Sequence, residues 1–319
     1  MLLDILFMTI GTAGLYFGAD WLVDGASRLA RAIGMSATAV GLTVVAFGTS
    51  MPEFVVGVFG GVREASDLIL GNVVGSNILN IALILGVTAM IFPIPVQLRV
   101  VRRELPVMIG IVALSGLLAL DGVVTGRDGL ILLGLFPFYL WHVLREGAED
   151  AEAEAQFEEV AEGEDRQPHE AIGRNVLLTC LGLVVLLGGA HLLVEGAVDL
   201  AERFGVSEAV IGLTVVAFGT SLPELATGLV AALKKQPDIA VGNIVGSNVF
   251  NVLVVLGTAA LIHPATVEPG ILGVDIPLMV LLCLMLLPIA ARRLRVERWE
   301  GGVLVLGYLV FTWLLWVRF

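Results

Sequence analysis

The chain has 319 residues, 57% of them apolar, a mean hydropathy of +0.95 and a net charge of −12. That apolar share stands above the roughly 45–50% of a soluble domain, so water is not the main solvent and nucleic acid is not an expected partner. Apolar runs long enough to cross a bilayer recur along the whole chain, which excludes a cleaved signal peptide as their explanation.

In chain order, the runs between charged or Pro/Gly breaks predict spans at 3–27, 36–61, 68–92, 104–121 and 128–145, then at 173–201, 207–233, 239–262, 271–290 and 301–318. The runs are continuous and rich in Leu, Val and Ile. The period-two alternation of an outer-membrane barrel is missing, so the expected class is an all-α membrane protein of ten transmembrane helices. Span one carries Asp20 and Asp24, read as water-facing or gating-surface groups because the aligned residues of span six are His191 and Glu195. Asp67 and Asp238 open spans three and eight and read as helix N-terminal carboxylates. Between spans five and six, residues 146–170 hold eleven carboxylates against Arg166, a local net charge of −10. That composition predicts a solvated linker over 146–172. Cys180 and Cys283 fall inside spans and read as core residues without a disulfide framework. His142, His169, His191 and His263 are scattered and match no zinc-protease spacing.

Residues 41–53 read GLTVVAFGTSMPE and residues 212–224 read GLTVVAFGTSLPE; GNVVGSNILN ends at Asn80 and GNIVGSNVFN at Asn251. Both blocks recur at the same offset of 171 residues. The chain is therefore a duplication, with a first repeat at 1–145, the linker at 146–172 and a second repeat at 173–319. Five spans per copy is an odd number, so the second copy enters from the opposite face and the repeats are inverted. With both termini outside, 14 of the 18 Lys and Arg side chains fall on the cytoplasmic side and only Arg63, Arg127, Arg203 and Arg318 outside, as the positive-inside rule requires. The linker is then cytoplasmic, and the expected location is the plasma (inner) membrane. Inverted repeats with interrupted helices are the pattern of secondary transporters.

Pro52 follows Gly48, Thr49 and Ser50, and Pro223 follows Gly219, Thr220 and Ser221, within apolar spans. A proline there breaks the helix and frees the carbonyl four residues back; such carbonyls at membrane depth line a cavity or bind something. Glu53 and Glu224 come next. A charge at mid-membrane costs about 2.5–3.5 kcal/mol or more, so two symmetric glutamates point to cation binding rather than to packing. Calcium takes 6–8 oxygens from carboxylates, carbonyls and water, and a charge of −2 matches one calcium ion. Ser76 with Asn80, and Ser247 with Asn251, lie at i and i+4 on one helix face and offer neutral oxygens. Gly71, Gly75, Gly242 and Gly246 read as close-packing residues.

The paired GTSMPE/GNVVGSN and GTSLPE/GNIVGSN blocks resemble the alpha-repeats of the sodium/calcium exchanger family, across all ten predicted helices. The resemblance implies a core of spans two, three, seven and eight, with spans one and six sliding across it. It implies a calcium site of the Glu53 and Glu224 carboxylates with the Thr49 and Thr220 backbone oxygens. Sodium sites would use the Ala46 carbonyl with Ser50 and Ser76 toward one face. Toward the other they would use the Ala217 carbonyl with Ser221, Thr220 and Ser247, while Asn80 and Asn251 complete the middle. Some relatives carry Asp at the position of Asn251, an acid associated with potassium in the potassium-dependent branch, so Asn251 implies a potassium-independent exchanger. The expected partners are calcium and sodium as transported ions and the lipid bilayer, with no cofactor. One chain carries both half-sites and is compatible with a monomer. A proton-coupled exchanger of calcium or another divalent cation stays open as the alternative, although relatives of that kind place a glutamate in the second block where this chain has asparagines. A passive channel would instead call for a ring of identical subunits.

Overall fold

The computed structural model describes residues 2–161, 172–204 and 217–318. In chain order the helices are α1 (Leu2–Ile33), α2 (Ala37–Thr49), α3 (Met51–Val62), α4 (Ser66–Ile91), α5 (Leu105–Leu118), α6 (Gly126–Ala161) and α7 (Ile172–Arg203). The one-turn α8 (Ala217–Thr220), α9 (Leu222–Leu233), α10 (Pro237–Ile262), α11 (Ile271–Arg293) and α12 (Arg298–Arg318) follow. Residues 207–216, with the GLTVV of the second motif, lie outside the described residues. So do positions 162–171 of the acidic segment, including His169. Among the described residues, α1, α4, α7, α10 and α11 are each long and apolar enough to cross a membrane, and α2 with α3 qualifies as one broken span.

Polarity is distributed as lipid demands. Phe138, Trp141, Leu306 and Trp313 lie exposed, while Thr49, Glu53, Asn77 and Glu224 are buried. A soluble protein rarely exposes so much contiguous apolar surface. The chain is a multi-pass helical membrane protein.

Two compact units form, Met1–Thr49 with Phe138–Asn243, and Ser50–Pro137 with Ile244–Phe319. Each draws on both sequence repeats, because equivalent elements of the two copies pack on one another. In the first unit α1 and α7 run antiparallel: Gly11 meets Gly189 and Leu193, Gly18 meets Gly182, Gly25 meets Thr179, and Gly196 meets Asp4 and Met8. A Cβ on Gly11 would lie 2.5 Å from the Leu193 nitrogen, and one on Gly189 2.6 Å from the Leu15 nitrogen. Glycine is needed for backbones this close, the usual device of helix association in lipid. The seam is also self-matching, since Gly11, Gly18 and Gly25 each recur 171 residues later as Gly182, Gly189 and Gly196. Leu22, Val40, Leu186, Val230 and Ile239 fill the core beside it.

Two expectations change in this unit. The helix of span five does not stop at residue 145: α6 runs to Ala161, so the first part of the acidic segment is helical. Alanine and glutamate are strong helix formers, Arg145 pairs with Glu149 one turn on at 3.1 Å, and the Gly147 carbonyl accepts the Ser36 amide at 3.0 Å. Cys180 lies exposed on α7, while Cys283 of the second unit is buried.

In the second unit α3 packs on α4 and on the C-terminal part of α10, α5 on α11, and α12 on the end of α4. Two short antiparallel ladders join loops, Ile94–Pro95 (β1) with Arg295–Val296 (β4) and Val123–Val124 (β2) with Ala265–Thr266 (β3). Among the described residues of this unit, π-helical turns stand at Asn80–Leu85, Val100–Glu104, Asn251–Leu256 and Ile271–Asp275, and they fall into two pairs at the repeat offset. Another, Gly41–Val45, lies in α2 of the first unit.

Candidate functional site

Both motif helices break where the prolines require. Ser50 (φ −83°, ψ 12°) and Ser221 (φ −95°, ψ 8°) leave helical geometry, and Pro52 and Pro223 occupy the first turns of α3 and α9, where a missing amide proton is harmless. Glu53 and Glu224 follow at the helix N-termini, where the backbone dipole favours a carboxylate. Each is 1% exposed. Ala46, Thr49, Ser50, Ser76, Asn80, Ser221, Ser247 and Asn251 are likewise buried, Thr220 is partly buried, and Ala217 opens α8.

In the first unit the Thr49 hydroxyl donates to Asn243 Oδ1 at 3.0 Å and lies 3.3 Å from the Ala46 carbonyl. In the second unit Asn72 Nδ2 donates to the Glu53 carbonyl at 2.9 Å. Asn72 and Asn243 are repeat equivalents. Each opens a GNxxGSN block and anchors the chain beside a glutamate motif, a role the sequence reading did not give them. The second unit also holds an asparagine chain: Asn251 Nδ2 donates to Asn77 Oδ1 (3.2 Å), Asn77 Nδ2 to the Asn248 carbonyl (3.3 Å), and Asn248 Nδ2 to the Ile244 carbonyl (2.8 Å). Asn80 and Asn251 stand at the start of equivalent π-turns, features that cluster at functional sites. The Oδ1 atoms of Asn80, Asn248 and Asn251 are buried with no hydrogen-bond partner among the described residues. An unsatisfied buried oxygen costs roughly 1–3 kcal/mol, and a cation would satisfy it.

Two further buried carboxylates escaped the sequence reading. Glu104 and Asp275 stand 171 residues apart, each at the end of a π-turn and two residues before a proline, with Arg99 lying 4.0 Å from Glu104. The repeat offset was the signal that could have found them. No group of three His, Cys, Asp or Glu side chains converges as a metal cluster among the described residues.

Asp20 and Asp24 are engaged elsewhere. Lys234, just beyond the end of α9, reaches Asp20 Oδ1 at 2.6 Å and Asp24 Oδ1 at 2.7 Å, and donates to the Asp20 carbonyl at 3.1 Å. Desolvation works against its charge, but the hydrogen bonds it donates to both carboxylates and their field outweigh it and hold the ammonium pKa above the usual lysine value. His191 and Glu195, their equivalents, pair with each other at 3.6 Å on the surface. Asp67 and Asp238 lie in the first turns of α4 and α10.

The pattern of the sodium/calcium exchanger protein family matches residues 3–145 and 174–317, both repeats. The chain belongs to that family. It is 38% identical to CaxA of Alkalimonas amylolytica over 99% of each chain, and 37% identical to inner membrane protein YrbG of Escherichia coli (strain K12) over 98% of this chain and 96% of that one. The fold is similar to that of the sodium-calcium exchanger NCX_Mj soaked with zero Na+ and Ca2+, with a TM-score of 0.86 and 32% identity over 98% of this chain and 99% of that one. A sodium/calcium exchanger family member is a transporter, and its ions are cargo rather than resident cofactors.

Proposed function

We propose that this chain is a secondary antiporter that exchanges sodium for calcium by alternating access and needs no potassium. Its ten helices would form two inverted five-helix repeats, with both termini outside and residues 146–172 in the cytoplasm. Glu53 and Glu224 serve as carboxylate ligands of the transported ion, with oxygens of Ala46, Thr49, Ser50, Ser76 and Asn80 and of Ala217, Thr220, Ser221, Ser247 and Asn251. The observation that carries this reading is the duplicated, fully buried glutamate at the N-terminus of a broken helix. Such a carboxylate in a membrane span marks an ion pathway. The family of the chain, and the likeness to a solved sodium-calcium exchanger, support the choice of ions. Asn251 supports potassium independence, since only two carboxylates belong to the proposed ligand set.

Calcium uptake into liposomes carrying the purified protein is expected to require an outward sodium gradient and to persist without potassium. Uptake driven by a pH gradient with sodium absent on both sides would replace sodium by protons as the coupling ion. Uptake independent of any gradient would mark a channel, and strict potassium dependence would overturn the reading of Asn251.

A further inference from the structure

The repeat is symmetric in sequence across its second block, but the hydrogen bonds there are not. Asn77 and Asn248 are equivalents, yet Asn77 reaches out to the Asn248 carbonyl while Asn248 turns back to Ile244 in its own helix. Only Asn77 therefore has an oxygen placed to receive the Asn251 amide. All three asparagines are buried: Asn77 and Asn248 are fully enclosed and Asn251 is 1% exposed.

We propose that Asn77 is a positioning residue that fixes the Asn251 side chain with its amide nitrogen held and its oxygen presented to the transported ion. The inference rests on Asn251 being an ion ligand, as proposed above. Hydrogen-bond direction determines the arrangement. The Asn248 carbonyl can only accept, so it fixes the Asn77 amide group with Nδ2 toward it and Oδ1 away. Turning Asn77 over would set its oxygen against that carbonyl, two acceptors face to face. Asn77 Oδ1 in turn demands a donor from residue 251. An amide meets that demand with its nitrogen and leaves Oδ1 over, and that atom is buried with no hydrogen-bond partner among the described residues. A carboxylate at 251 would bring a third acceptor into the chain. The same frame thus orients the ligand and favours a neutral side chain at this position. Asn80 has no such tether among the described hydrogen bonds, so the two equivalent asparagines are not interchangeable.

The test is a double-mutant cycle on full-length protein in liposomes, reading the half-saturating calcium concentration, with thermal unfolding in detergent to establish that each variant is folded. Asn77→Ala is expected to raise that concentration about three- to tenfold, the scale of one buried hydrogen bond. Asn251→Ala should raise it at least as much, and the double variant should match Asn251→Ala alone, since Asn77 acts through Asn251. Additive effects, or an unchanged Asn77→Ala beside a weakened Asn251→Ala, overturn the positioning role and leave the ligand reading intact. An unchanged Asn251→Ala overturns the ligand reading itself. Asn251→Asp, which keeps the side chain's shape, provides the arm that does not open a cavity. The frame predicts calcium binding no tighter than wild type despite the added charge. A tenfold gain, as simple charge attraction would give, overturns the proposal.

Discussion

Glu53 and Glu224 have the same burial and the same place in the first turn of a helix, so they should be individually necessary and roughly equivalent. Glu53→Gln or Glu224→Gln keeps the shape and one oxygen while removing a unit of charge. At an effective dielectric near 20, a unit charge about 4 Å away is worth roughly 4 kcal/mol to a monovalent ion and twice that to a divalent one, before relaxation. A tenfold loss of affinity needs only about 1.4 kcal/mol. Both variants are therefore expected to lose at least tenfold in calcium affinity and visibly less in sodium affinity, measured by calorimetry or flux competition. Wild-type calcium affinity in either one would remove that glutamate from the ligand set. These two residues were legible in the sequence because a charge inside an apolar run is conspicuous and the repeat shows it twice. Asn72, Asn77 and Asn243 were not, because an asparagine near a membrane helix carries no sign of which backbone or side chain it will meet. Their roles appear only once the Glu53 carbonyl, the Asn248 carbonyl and the Thr49 hydroxyl are in place.

At the scale of elements, the spans of α1, α4, α7, α10 and α11 and the broken span of α2 with α3 were readable from apolar runs, and the helix breaks from Pro52 and Pro223. The π-turns were not, since an added residue per turn leaves no mark in composition; Asn80 and Asn251 head two of them without any local breaker. The helical start of the acidic segment was not legible, because net charge argues for solvation while alanine and glutamate argue for helix, and a helix can be solvated. The glycines seven residues apart in α1 and α7 were a legible packing signal that the reading passed over. The packing of α1 depends on more than glycine. Lys234 ties the α1 carboxylates Asp20 and Asp24 to the end of α9 through side chains that are 24%, 28% and 41% exposed. Pairs this open to solvent contribute about 1 kcal/mol or less each. Lys234→Met is accordingly expected to lower the thermal midpoint in detergent by a few degrees, with Asp20→Asn and Asp24→Asn each giving part of that loss. The folded ammonium pKa lies above the ordinary lysine value, so this contribution is present in full at neutral pH and disappears only as pH rises through the raised value. A midpoint difference between wild type and Lys234→Met that is constant from pH 7 to 9 is the expected result. No difference at any pH would mean that the clasp contributes nothing to stability.

For the molecule as a whole, the compact units cut across the sequence halves, and that division was not legible because a repeat shows what is alike and not what it packs against. Antiparallel α1 and α7 are the first helices of the two copies, which supports the inverted duplication proposed above. Orientation in the membrane is a separate question, and it turns on charge. The ends of the α1 and α7 pair differ: Arg203 joins buried Asp4 at 2.9 Å at one end, whereas Arg31 and Lys234 cluster with Ser27, Asp20 and Asp24 at the other. Counting along the chain, 14 of the 18 Lys and Arg residues lie on the side of this second end when the spans are threaded in order, and short basic loops stay in the cytoplasm. The proposed threading puts the acidic segment on that same side, but acidic residues have little influence on orientation. A phosphatase reporter fused after Arg318 is therefore expected to be active outside the cell membrane, while a cysteine introduced at Glu152 should react with a membrane-impermeant thiol reagent only in inside-out vesicles. Labelling of that cysteine in intact cells, together with a reporter silent at the C-terminus, would reverse the topology and assign Lys234 and its two carboxylates to the outer face.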